Sequence, residues 1–209
     1  GALAVALVAG LACATPVRAE TTWTLYTYVP AATLAPARAW NEMIEQLDKE
    51  TNGAFKLKMH LAGSLPISST TITQAVSDDV VQLGDDGFFH GNVPVTGIMR
   101  LPMLLTTPAE FDKAAAIMRP YFEAAYAKKG CVVLGYYYYP LQTIFSKKPT
   151  ASLADVKGQK LRVTSPEQGE FVKRMGGIPV TIGAAEVPSA LDRGVVEGGF
   201  TASSGGGKI

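Results

Sequence analysis

Residues 152–200 read SLADVKGQKLRVTSPEQGEFVKRMGGIPVTIGAAEVPSALDRGVVEGGF, and this stretch decides the fold. Ser152-Leu153-Ala154-Asp155 caps a single helical turn that Gly158 ends. Lys160 to Thr164 is a short strand. Ser165-Pro166-Glu167-Gln168 reads as a capping box with proline at the first helical position; it opens a helix that closes at Gly176-Gly177. Ile178 to Thr181 is a strand, Ala185 to Asp192 a helix stopped by Gly194, and Val195 to Phe200 a strand. Strands separated by single helices, in units of about 20 to 30 residues, need crossover connections and a largely parallel sheet.

The same alternation runs upstream. Thr22 to Tyr28 is β-branched and aromatic and predicts a strand. From Pro36, Trp40, Met43, Ile44 and Leu47 fall at i, i+3, i+4 and i+7, a one-sided helix stopped by Asn52-Gly53. Phe55, Leu57 and Met59 alternate with Lys56, Lys58 and His60, a half-exposed strand. A helix through Thr70 to Asp78 leads into an apolar strand, Val80 to Gly84. Thr107-Pro108-Ala109-Glu110 caps a helix carrying Phe111, Met118 and Phe122, with Pro120 inside it. After Gly130, Cys131 to Tyr138 predicts a further strand, its Cys131 a buried thiol. The fold expected from this alternation is α/β with mainly parallel sheets.

Composition excludes several classes. The chain has 209 residues, 47% hydrophobic and 18% charged, with formal net charge +1. That balance is globular, and it carries no basic surplus for nucleic acid. Ala2 to Ala14 is small and apolar and too short for a membrane span. Thr15-Pro16 and Val17-Arg18-Ala19 follow, so residues 1–19 read as a signal peptide cleaved after Ala19, its start clipped. Leu11-Ala12-Cys13 has the look of a lipoprotein site, but Gly10 matches poorly and plain secretion is favoured. His60 and His90 have no partners at metal-ligand spacing, and neither a metal nor a cofactor is expected.

Chemistry is expected off the carboxyl ends of the parallel strands. Arg162 lies in such a strand just ahead of the Ser165 cap. A guanidinium there can meet a carboxylate bidentately, beside a helix N-terminus that favours anions. From these residues alone a surface arginine is the commoner alternative.

The motifs then add a resemblance. SLADVKGQKLRV (152–163) and MGGIPVTIGAAEVPSALDRGVVEGG (175–199) resemble the substrate-binding component of tripartite ATP-independent periplasmic (TRAP) transporters, the DctP family. TNGAFKLKMHLAGSL (51–65) and RLPML (100–104) agree with the family's N-terminal half. The resemblance implies an α/β fold of the two-lobe periplasmic-binding-protein (type II) kind, residues 20–133 in the first lobe and 134–209 in the second, closing over a small carboxylate with Arg162 on the carboxylate. It also implies pocket roles for Tyr28, for the turn Asp85-Asp86-Gly87-Phe88 and for the loop around Gln142. Asp86, Phe88, Tyr138 and Thr164 are expected to line the site. Of the tyrosines 136–139 at most two can look into a cleft if they lie in a strand.

Departures from the family pattern narrow the expectation. Gln142 stands where many relatives have a second arginine, Ala184 where an aromatic ring often stacks, and Pro188 where tyrosine is usual. Thr201 occupies a common asparagine position, and Phe200 is expected to replace the lost ring. Fewer charges imply a monocarboxylate. The expected job is a periplasmic receptor, monomeric and not an enzyme, delivering the acid to TRAP membrane subunits. A two-lobe receptor for a sensor or for another transporter class is the alternative. The family extends past residue 209, so this piece alone is expected to bind poorly. A secreted enzyme is disfavoured: no G-x-S-x-G elbow is present, and Asp78, Asp79, Asp85 and Asp86 read as solvated loop-edge carboxylates.

Overall fold

A computed structural model describes residues 20–87, 93–137 and 142–202. The expected leader (1–19), the loop 203–207, Phe88, His90 and Tyr138 lie outside the described residues.

Two sheets organise the chain. The first is fully parallel, in the order β2-β1-β3, from β1 (Thr21–Thr27), β2 (Phe55–His60) and β3 (Leu83–Asp85). Helix α1 (Ala35–Glu50) makes the crossover from β1 to β2. It ends where Asn52 and Gly53 take left-handed backbone angles, φ 51° and 75°, the conformation that glycine adopts without steric cost. Helix α2 (Ile72–Ser77) lies on the sheet, and Gly84 makes its approach possible. A Cβ on Gly84 would sit 2.7 Å from Ile72 and 2.8 Å from Val76. Tyr26, Val29, Ala37, Ile67, Ile72 and Val81 form this core, and the Tyr26 hydroxyl donates to the Ile67 carbonyl at 2.6 Å.

The second sheet has the order β4-β7-β5-β6, from β4 (Gln142–Ser146), β5 (Lys160–Val163), β6 (Ile178–Thr181) and β7 (Gly198–Ala202). Strands β6, β5 and β7 are parallel, and β4 runs antiparallel to β7. Helices α4 (Pro166–Arg174) and α5 (Val187–Asp192) provide the two crossovers. Val156, Leu161, Val163, Val172 and Phe200 form its core, with Ile144, Phe171 and Met175 packed alongside. Between the sheets run a 3-10 helix (Pro94–Arg100) and α3 (Pro108–Ala127), whose Thr107–Glu110 capping box is complete.

Three expectations change. Residues 131–137 form no strand: Val132 and Leu134 are 83% and 71% exposed, and no ladder holds them. Their apolar run has strand composition, but composition alone does not supply a paired neighbour, and the first sheet is complete as β2-β1-β3 without them. Cys131 is nonetheless buried, its thiol 3.7 Å from the Thr73 carbonyl. The expected strand 80–84 shrinks to β3, with Val80 exposed. The box at Ser165 is half made. Ser165 Oγ accepts from the Gln168 amide at 3.1 Å, but Gln168 Oε1 reaches past it to the amide and hydroxyl of Thr164, at 2.9 and 2.8 Å.

Candidate functional site

Arg162 stands on β5, opposite Gly199 of β7. Gly199 leaves the space that its stem occupies, since a Cβ there would lie 2.8 Å from the Arg162 Cβ. The side chain is 5% exposed. Its Nε donates to the Ile182 carbonyl and an Nη to the Phe200 carbonyl, both at 3.1 Å. Ile182 follows the last residue of β6, Phe200 lies mid-way along β7 and Arg162 is the penultimate residue of β5, so the guanidinium lies towards the end of the sheet where ligands bind in parallel α/β folds. Burial, and then the nearby Arg100 guanidinium, hold its pKa down at about 10, while Tyr28 opposes the shift.

Arg100 is the residue that sequence reasoning missed. It ends the 3-10 helix between the sheets. One Nη donates to the Gly87 carbonyl at 3.1 Å and the other to Thr164 Oγ1 at 2.7 Å. Gly87 follows β3 and Thr164 follows β5, so one guanidinium touches the carboxyl ends of both sheets. The RLPML motif contained the signal, but only its proline and apolar positions were informative as a pattern.

The other expected residues fall into three situations. Tyr28, just past β1, is buried; its ring covers Gly87, whose Cβ, if present, would meet the ring at 2.5 Å. The Tyr28 hydroxyl lies 3.3 Å from that of Tyr137. Thr164 is buried and accepts from Arg100 while donating to Gln168. Gln168 Nε2 in turn donates to Gln142 Oε1 at 3.4 Å. Gln142 is therefore the first residue of β4 rather than part of a loop. Asp86 accepts a short hydrogen bond from Thr73 at the start of α2.

Phe200 requires a correction. Its ring packs in the second core, edge-on to Phe171 at 6.0 Å between centroids, so it offers no stacking surface beside Arg162. Side chains alternate along a strand. Arg162 pairs with Gly199, which puts Gly199 and Thr201 on its face and Phe200 on the opposite one. What Phe200 gives Arg162 is its carbonyl. Ala184 is buried in a 3-10 turn after β6.

Asp85 also departs from expectation. It is 3% exposed, not at a solvated loop edge. Thr27 Oγ1 donates to one carboxylate oxygen at 2.6 Å and the Tyr137 hydroxyl to the other at 2.7 Å. Burial raises its pKa, and hydrogen bonds from Thr27, Tyr137 and Trp40 oppose that rise. It serves as a bolt between β1, β3 and the 131–137 segment. Tyr136 packs instead on Phe122 of α3, 6.0 Å between centroids.

An open hollow of about 220 Å³ also borders Arg162, walled by Phe145, Lys147, Val187, Leu191 and Thr201. All of its lining residues belong to the second sheet and its connections. Arg100 and Tyr28, which act on the guanidinium, come from elsewhere and do not line this hollow. Among the described residues no group of three His, Cys, Asp or Glu side chains could hold a metal ion. Among them, too, no helix is long and apolar enough to cross a membrane.

A buried arginine near the carboxyl ends of parallel strands, beside a second guanidinium that touches both sheets, has the chemistry to hold a small anion. Residues 27–204 match the bacterial extracellular solute-binding protein family 7, DctP. The chain belongs to that family. Its fold is the two-lobe periplasmic-binding-protein fold, with mostly parallel sheets. A solute receptor of Bordetella pertussis described as binding pyroglutamic acid superimposes with a TM-score of 0.82. The two share 27% identity, and the match covers 90% of this chain and 62% of the receptor. A marine metagenome TRAP solute-binding protein described as specific for pyroglutamate gives a TM-score of 0.81 at 27% identity, covering 89% and 61%. The uncharacterized protein YiiZ of Salmonella typhimurium is 26% identical over 161 residues, 74% of this chain and 49% of that protein. The chain thus spans about half the length of the curated relatives it matches.

Proposed function

We propose that this DctP-family chain is the receptor part of a TRAP transport system, which captures a small carboxylate in the periplasm and delivers it to the membrane subunits. Arg162 is the carboxylate anchor, with Tyr28, Thr164, Gln142, Asp86 and Thr201 around the gap, and the receptor binds its acid without turning it over. The observation that carries the reading is the buried Arg162 guanidinium, its pKa depressed to about 10 by burial and by Arg100. A cation desolvated in this way gains most from an incoming anion, because the carboxylate supplies the opposite charge that the protein interior withholds.

The ligand is a monocarboxylate. Arg162, buried at the strand ends with the Arg100 guanidinium beside it, is the anchor for one carboxylate. Pyroglutamate, with one carboxylate and one ring amide, has that chemistry, and two structural relatives are described as binding it. The test is a thermal-shift screen of the mature full-length protein against organic acids led by pyroglutamate, repeated with Arg162→Ala. A saturating acid raises the melting temperature of the parent by mass action and leaves the variant unmoved. An equal response from the two proteins refutes the assignment.

A further inference from the structure

We infer that Arg100 is a positioning residue that clasps the two lobes together, through its paired hydrogen bonds to the Gly87 carbonyl and the Thr164 hydroxyl. The inference deepens the carboxylate-receptor reading and rests on it for its functional meaning, but its geometry is independent of any ligand.

The two acceptors belong to different sheets. Gly87 follows β3 of the first, and Thr164 follows β5 of the second. Arg100 spans them at 3.1 and 2.7 Å. Its planar fork suits this task, since two rigidly related N–H donors fix the separation of their acceptors, which the single ammonium of a lysine does not do. The second-lobe end of the clasp is itself braced. Thr164 donates to Gln168 Oε1 at 2.8 Å, its backbone amide reaches the same oxygen at 2.9 Å, and Gln168 continues to Gln142 on β4. Gly87 is pinned from the first-lobe side by the Tyr28 ring.

Two other contacts bring the same bodies together. Gly97, one turn before Arg100, faces Glu167 of α4 so closely that a Cβ on Gly97 would lie 2.5 Å from Oε1. Gly183, after β6, faces Ser69 of the first lobe, whose Oγ would lie 2.9 Å from an added Cβ. Neither of these is a directed polar bond; Arg100 supplies one that reaches both sheets. The clasp also brings a second positive charge towards Arg162, which lowers the pKa of that guanidinium.

The test reads lobe separation directly and needs no acid. Cys131 is replaced by alanine in the mature full-length receptor, and spin labels are attached at Val80→Cys in the first lobe and Leu153→Cys in the second, both exposed positions. Dipolar spectroscopy then gives the distance distribution. Arg100→Gln and Thr164→Val each shift population from the short-distance state to longer distances, on the order of tenfold for a charge-assisted bond. The double variant goes no further than either single one, and Thr164→Ser, which keeps the hydroxyl, restores the parent distribution. A merely structural role for Arg100 would lower stability without this rescue. Parent-like distances in Arg100→Gln and Thr164→Val overturn the clasp. Because Arg162 is untouched in these variants, that failure leaves the carboxylate assignment standing. A failure of the Arg162 screen leaves the clasp measurable.

Discussion

Replacing Arg162 by methionine separates binding from folding. The substitution keeps an unbranched apolar stem and deletes the charge. In the folded chain the charged form of Arg162 is disfavoured, chiefly by burial, and its pKa falls well below the ordinary guanidinium value, to about 10. At about 1.4 kcal/mol per pKa unit, holding that charge costs the fold about 3 kcal/mol. Because the native pKa is the lower one, the cost is fully present below pH 10 and is relieved as pH rises through it. Against this relief, methionine leaves the Ile182 and Phe200 carbonyls without the donors they have now, at about 1–3 kcal/mol each. The opposing contributions are of similar size, so the unliganded variant stays within about 3 kcal/mol of the parent in urea unfolding at neutral pH. Ligand response behaves differently. An acid at a hundred times its dissociation constant stabilises the parent by about 2.7 kcal/mol, a rise of roughly 5–10 °C for a lobe of this size. The variant shows no rise. A loss of about 4 kcal/mol or more in the unliganded variant, the signature of a broken structural pair, refutes the reasoning. So does a retained thermal response.

Gly199→Ala should act on the same site from beneath: its methyl would lie 2.8 Å from the Arg162 Cβ and 3.2 Å from its carbonyl oxygen, so urea unfolding loses about 1–3 kcal/mol and acid affinity falls. Phe200→Ala should cost about 3–5 kcal/mol of stability by emptying the second core, and the acid-induced stabilisation of the folded remainder should persist, as calorimetry can check. Asp85 has a native pKa raised by burial, so its ionisation destabilises the fold as pH climbs through and above the ordinary carboxylate range. The stability of Asp85→Asn relative to the parent should accordingly increase from pH 4 to pH 7 in parallel urea titrations, and a flat difference would show that burial does not control this carboxylate.

The alternation of β5, α4, β6, α5 and β7 was legible because caps, glycine stops and short apolar runs agree at each boundary. Arg162 was legible as a candidate from its strand and the following cap. Three features were hidden, each for a physical reason. The segment 131–137 has strand composition, but pairing depends on a partner strand brought alongside by the tertiary fold, which no local pattern records. The burial of Asp85 depends on Thr27 and Tyr137, which are 58 and 52 residues away in the chain. Arg100 sits in a 3-10 turn with no amphipathic period, and its importance arises only when Gly87 and Thr164 meet around it. The misjudged role of Phe200 is a matter of strand phase, fixed by the pairing of Arg162 with Gly199.

The most direct measurement is a crystal structure of the full-length receptor grown with pyroglutamate, or with the acid that gives the largest thermal shift. The account predicts one carboxylate lying fork-to-fork on the Arg162 guanidinium, with nitrogen–oxygen distances of about 2.7–2.9 Å, between the carboxyl ends of the two sheets. An acid bound elsewhere in the protein, with no oxygen in hydrogen-bond contact with Arg162, would contradict it.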